Sequence, residues 1–201
     1  ALLCAGLAGV LMNELVYEVL RRRGAKGLGY LIATLALLML GTSIVQMVFG
    51  AAPKTFNVQT ETISIGGASI TLLQLWSLII VIVLLGLFYW IVKFTKFGKA
   101  MRATADNETV AEVLGVDTQN IRRAAFALSS MLAAAAGILF GLEFSLDPNR
   151  GVLLAVFGFA ATVVGGAGSI AGPIAGSILI GFVEQGVVWF WGAGWRNAAV
   201  F

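Results

Sequence analysis

The chain has 201 residues, 59% of them apolar and only 11% charged, with 13 Lys/Arg against 10 Asp/Glu for a net charge of +3. A soluble domain carries about 25% charged residues, and a disordered chain combines low hydrophobicity with high charge; this composition excludes both. The positive balance is no nucleic-acid footprint either, because the cations sit in short connections between apolar runs.

Four apolar runs approach the ~20 residues that cross a bilayer as a helix. The first covers residues 1–20 and ends at Arg21, Arg22, Arg23 and Lys26. The second runs from Leu28 to Phe49 without a charge, and the third from Leu72 to Val92, closed by Lys93, Lys96 and Lys99. The fourth starts near Arg122 and Arg123 and continues to Gly141. Backbone polar groups in lipid must be satisfied within their own segment, so each is read as a transmembrane helix. The stretches 21–26 and 93–123 hold ten of the thirteen cations, while Lys54, Arg150 and Arg196 are single. The positive-inside rule therefore places those two stretches in the cytoplasm and the other connections outside.

In the outer connection after the second run, Ile63-Ser64-Ile65, Gly66-Gly67 and Ala68-Ser69-Ile70-Thr71 alternate around a glycine pair. They read either as a small β-hairpin or as a polar linker. The segment 93–123 is too long for a turn and too patterned for a linker. Asp106 or Asn107 can cap a short helix through Val110, Ala111, Val113 and Leu114, with Gly115 as a left-handed stop. Asp117 can cap the fourth span, from Thr118. A short amphipathic helix at this place either lies on lipid headgroups or docks its apolar edge into a groove of a soluble partner. Its charges, Asp106, Glu108 and Glu112, are acidic, which favours the protein partner.

After Asp147-Pro148-Asn149-Arg150-Gly151 the apolar run Val152–Val164 is short, about 20 Å as a helix against a hydrocarbon core of about 30 Å. Gly165-Gly166-Ala167-Gly168-Ser169-Ile170-Ala171-Gly172-Pro173 follows, with Pro173 suited to the first turn of a new helix that continues to Trp191. Two arrangements fit: a half-helix, a glycine-rich break and a returning helix, or two ordinary helices tightly turned. Gly168, Gly172 and Gly176 recur every fourth residue, Ser177 and Gly181 continue small residues on an adjacent stripe, and Gly137 and Gly141 form a second pair. Small residues at such spacing permit close helix approach in lipid. Glu14 and Glu18 precede Arg21–Arg23 at helical spacing and can pair with them. Glu143 and Glu184 read as outer-interface residues that pair with Arg150 or Arg196, or as ion sites of a secondary transporter or channel. Trp189, Trp191 and Trp195 mark an aromatic belt at that interface. Cys4 is alone and histidine is absent, so no disulfide framework or usual zinc ligand set exists. No Gly-x-x-x-x-Gly-Lys-Ser/Thr loop is present for ATP.

Three stretches resemble one family. Gly98-Lys99-Ala100-Met101-Arg102-Ala103-Thr104-Ala105-Asp106-Asn107 with Ala111-Glu112-Val113-Leu114-Gly115-Val116 is similar to the cytoplasmic loop of the membrane permeases of bacterial branched-chain amino acid ABC importers. Gly165–Gly172 is similar to that family's Gly-Gly-x-Gly-Ser-x-x-Gly stretch, and Glu14-Leu15-Val16-Tyr17 with Leu20-Arg21 to its Glu-x-x-x-Tyr-x-x-Leu-Arg region. The resemblance covers essentially the whole chain. It implies an all-α polytopic inner-membrane protein, a type II ABC importer permease-like helical bundle forming one transmembrane domain over residues 1–201, incomplete at both ends. It implies two cytoplasmic ATPase subunits that bind the ATP, a second permease subunit, an extracytoplasmic binding protein and an amino acid substrate, with no catalysis by this chain. Ala103, Thr104, Ala105, Asp106, Asn107, Glu108, Ala111, Leu114 and Gly115 would couple to the ATPase. Gly165, Gly166, Gly168, Ser169, Gly172 and Gly176 would lie by the translocation path.

Overall fold

A computed structural model describes residues 1–24, 27–50, 52–55, 62–65, 68–148, 150–166, 168–169, 171–192 and 194. Five helices among them are long and apolar enough to cross a membrane: Leu2–Arg22, Gly27–Phe49, Leu72–Phe94, Thr118–Glu143 and Ala171–Trp191. The chain divides into two compact units, Ala1–Ser43 with Ala52–Leu146, and Ile44–Ala51 with Asp147–Phe201.

The first span is built from α1 (Leu2–Met12), a π turn (Asn13–Tyr17) and α2 (Glu18–Arg22). The π turn interrupts the continuous α-helix expected over residues 1–20 and carries Asn13, which is buried although polar. The second span is α3 (Gly27–Phe49), with no residue buried. Tyr17 ties its start to the first span: its ring stacks on Tyr30 at 6.4 Å and its hydroxyl lies 3.0 Å from Thr34 Oγ1. Strands β1 (Thr62–Ile65) and β2 (Ala68–Thr71) pair antiparallel with Ile63 opposite Ile70, which decides for the hairpin over the linker; Gly66 and Gly67 lie outside the described residues. The hairpin feeds directly into α4 (Leu72–Phe94), whose N-terminus carries a capping box. Thr71 Oγ1 accepts from Gln74 N, and Gln74 Oε1 accepts from Thr71 N, so two otherwise orphaned donors are satisfied.

Residues 93–123 hold more helix than the sequence suggested. An amphipathic helix α5 (Lys96–Asp106) precedes the short helix α6 (Glu108–Val113), and α7 (Thr118–Glu143) is the fourth long span of this unit. Its N-terminus lies beside α2, where Arg122 and Arg123 pair with Glu18 and Glu14. The two cation-rich stretches therefore sit at one end of the unit, as a common membrane face requires. At the other end Lys54 and Leu146 exchange backbone hydrogen bonds of 2.9 and 2.8 Å.

The first and fourth spans pack through glycines that the small-residue spacing did not single out. A Cβ on Gly6 would press on Met131, and one on Gly9 would collide with Ser130 and the carbonyl of Phe126. The flagged pair Gly137 and Gly141 does not serve this role. Gly137 faces open space, and Gly141 makes room for the side chain of Leu146 just beyond its own helix.

The second unit contains α8 (Arg150–Gly165) and α9 (Ala171–Trp191). At 16 residues α8 gains three on the apolar run, yet at about 24 Å it stays short of the hydrocarbon core. The helices run antiparallel, with Gly165 against Gly172 and Ala161 against Gly176.

Candidate functional site

The segment 93–123 is a set of capped turns. Thr95 ends α4 and opens α5: its hydroxyl donates to Ile91 O and accepts from Gly98 N at 3.1 Å. Gly98 lies directly on the backbone of Val92, and Arg102 reaches back to donate to the Val92 carbonyl. That carbonyl belongs to the last turn of α4 and has no helical partner ahead of it, so the guanidinium closes the corner. Gly98→Ala is expected to lower stability by about 1–3 kcal/mol, because the new methyl meets backbone that cannot rotate away. Gly86→Ala, in open space on the preceding helix α4, is the control. Thermal unfolding of the purified protein in detergent compares the two.

Each predicted coupling residue can be placed. Ala103, Thr104, Ala105 and Asp106 form the last turn of α5, and all but Thr104 are exposed. Of the two candidate caps, Asn107 is the one used: its Oδ1 accepts from Val110 N at 3.1 Å, in extended backbone between α5 and α6. Ala111 is buried at 1% exposure. Leu114 ends α6 and Gly115 follows at φ +83°, the left-handed stop. Gly115 N donates to Glu112 O and Val116 N to Ala111 O, the paired bonds of a Schellman ending. Asp117 then caps α7, accepting from Asn120 N at 3.1 Å.

The acidic residues behave differently from expectation. Glu108 does not face outward; it accepts from Arg122 and lies 2.6 Å from Arg21 Nη1. Glu112 accepts from the hydroxyl of the buried Thr118 at 2.7 Å. Alongside Thr109 and Glu112, α6 and its C-terminus expose three large apolar side chains: Val110 at 52%, Val113 at 82% and Leu114 at 75%. Glu18 does pair with Arg22 at helical spacing, 3.4 Å away, but it also meets Arg122 at 3.3 Å, and Glu14 pairs with Arg123 at 2.7 Å. Partners 104 positions apart are invisible to helical spacing. The available signal was that charge bias puts all these groups at one membrane face, where each carboxylate needs a cation.

In the second unit, Gly165, Gly172 and Gly176 form a crossing of backbone on backbone. A Cβ on Gly172 would strike the carbonyls of Gly165 and Gly166, and one on Gly176 the carbonyl of Ala161. Gly166 turns the chain at φ +86°, and Ser169 Oγ accepts from Gly172 N at 3.0 Å, capping α9. Gly168, in the fourfold spacing of the packed glycines, and Gly181, on the adjacent stripe, face open space. Glu143 ends α7 and is exposed; Glu184 is half-buried in α9. Trp189 and Trp191 are exposed at the end of α9, 85% and 69%, as a belt requires; Trp195 and Arg196 lie outside the described residues.

The family model described as "Branched-chain amino acid transport system / permease component" matches residues 1–200. The chain belongs to that family. The resemblance seen in Gly98–Val116, Gly165–Gly172 and Glu14–Arg21 is thereby borne out, as is a multi-pass membrane location. This chain is 30% identical over 187 residues to "Probable branched-chain amino acid transport permease protein LivH" of Methanocaldococcus jannaschii, covering 90% of this chain and 59% of that protein. It is 29% identical over 196 residues to the high-affinity branched-chain amino acid transport permease LivH of Salmonella typhimurium, 92% and 61% of the two chains. It is also 32% identical over 130 residues to the autoinducer 2 import permease LsrC of Photorhabdus laumondii, 61% and 38%. The chain thus spans about three fifths of the length of the LivH relatives. No solved structure matches it significantly.

Proposed function

We propose that this permease is the membrane subunit of an ATP-driven importer for branched-chain amino acids or similar small solutes, energised by separate cytoplasmic ATPase subunits. The observation that carries the reading is the apolar edge Val110, Val113 and Leu114, held out by a helix capped at both ends and outside any membrane span. Interfacial helices that rest on lipid carry Lys or Arg on their polar face. The α6 sequence ETVAEV carries neither, so a groove on a soluble protein is the occupant that fits. The cation-rich end of the first unit then faces the cytoplasm.

In this mechanism ATP-driven closure of the partner subunits displaces α5 and α6, and the spans rock about a path shared with a second permease subunit. Gly165, Gly166, Gly168, Ser169, Gly172 and Gly176 lie beside that path, and a binding protein delivers substrate from outside. The permease itself makes and breaks no bonds. A relative named for autoinducer 2 matches 61% of this chain, which supports selectivity resting with the binding protein and the path lining rather than with the coupling segment.

The test is co-purification and uptake with the full-length permease. An ATPase pair bound in fixed ratio, together with ATP-dependent leucine uptake into proteoliposomes supplied with the binding protein, is the expected result. Uptake driven by an ion gradient without any ATPase, and lost in Glu184→Gln, would refute it in favour of secondary transport.

A further inference from the structure

The covalent links of α6 are poor levers. On one side Asn107 is extended at φ −156°, and on the other Gly115 turns through a left-handed conformation. A helix of six residues between two bends does not impose its motion on its neighbours through the chain. Side chains decide what it moves with. Arg122 of α7 donates to Glu108 of α6, to Glu18 of α2 at 3.3 Å and to Thr118 at 3.3 Å. Arg21 of α2 lies against the same Glu108 oxygen, 2.6 Å away. Glu112 of α6 takes the Thr118 hydroxyl, and Ala111 is sealed beneath. Arg122 and Glu18 keep only 22% and 16% of their side-chain surface. Isolated exposed ion pairs contribute little, but a planar guanidinium shared among two part-buried carboxylates and the buried Thr118 hydroxyl fixes geometry.

We infer that Arg122 is the positioning residue of a rigid joint, formed with Glu18, Arg21 and Glu108, that makes α6, the first span and the fourth span move as one body. This rests on the coupling role proposed above and adds its route: displacement of α6 passes sideways into the first and fourth spans rather than back along the chain into α4. The glycine seam, Gly6 against Met131 and Gly9 against Phe126 and Ser130, continues the same rigid pair into the membrane.

The experiment uses the full-length permease, alone and in its assembled complex, with Cys4→Ser and spin labels at Thr109→Cys on α6 and Arg23→Cys beyond α2, both exposed positions. Pulsed electron resonance gives the label distance. The expected result is one narrow distribution that is the same with and without trapped ATP. Arg122→Gln broadens it, and uptake per ATP hydrolysed falls about two- to thirty-fold, the span of measured coupling effects. Glu18→Gln acts alike, the double variant is no worse than either, as for members of one network, and Arg122→Lys recovers part of the loss. A wild-type distance that shifts with ATP overturns the joint, and needs no substitution within it. So does Arg122→Gln with an unchanged distribution, or with a broadened one and unchanged uptake per ATP. The comparison in permease alone involves no ATPase, so failure of the joint is distinguishable from failure of the importer reading, which shows as absence of any bound ATPase.

Discussion

Gly172→Leu is expected to remove the permease from the membrane fraction or leave it inactive, with a loss of about 3 kcal/mol or more, the upper range for forced overpacking. The site offers no relief. The side chain would enter the carbonyls of Gly165 and Gly166, which are main chain and cannot adopt another rotamer. It would also displace Gly172 N from Ser169 Oγ, removing the cap of α9. Gly176→Ala, against the Ala161 carbonyl, should show the same fault in smaller measure. Gly181→Ala lies on the same helix in open space and should stabilise by up to about 1 kcal/mol, since alanine exceeds glycine in helix propensity. Size-exclusion profiles in detergent and uptake by the full-length protein read the series. Normal expression with normal uptake for Gly172→Leu would sink the packing claim.

Leu114→Asp should have the second large effect, on coupling rather than folding. Leu114 is 75% exposed, so a charge there disturbs no core. It does place a carboxylate in the centre of the apolar edge that the ATPase is proposed to cover. Loss at such a contact is typically 2 kcal/mol or more at a hot spot, roughly thirty-fold in binding. Permease abundance should be unchanged while ATPase stimulation and uptake fall together. Gly115→Pro differs in kind: proline holds φ near −65° where the chain needs +83°, so the end of α6 itself is lost. Wild-type stimulation and uptake in Leu114→Asp would remove the docking surface from consideration.

Much of this architecture was legible because lipid imposes a simple code. Runs of about 20 apolar residues became the spans, and local signals with a mechanism behind them held: Asn107, Gly115 and Asp117 act as the caps their chemistry suggests. Helix α5 was harder to see. Lys96, Lys99 and Arg102 interrupt its apolar positions, and its corner with α4 depends on Gly98 meeting Val92, a tertiary contact. The π turn has no sequence signature. Spacing also could not separate Gly172 and Gly176 from Gly168 and Gly181, because only the path of the neighbouring helix decides which glycine is filled. The ion pairs followed the same rule. Helical spacing gave Glu18 with Arg22, and only the folded bundle brings Arg122 between Glu18 and Glu108.

The contact of Gly165 with Gly172 has an energetic character of its own. Main chain already ordered by two helices meets main chain, so closing it freezes no rotamers, whereas each long side chain at a conventional interface forfeits about 1–2 kcal/mol of entropy. Its clearance is set to a single hydrogen atom at each glycine. The crossing has no side chain that could yield to an added methyl; it fits or it fails.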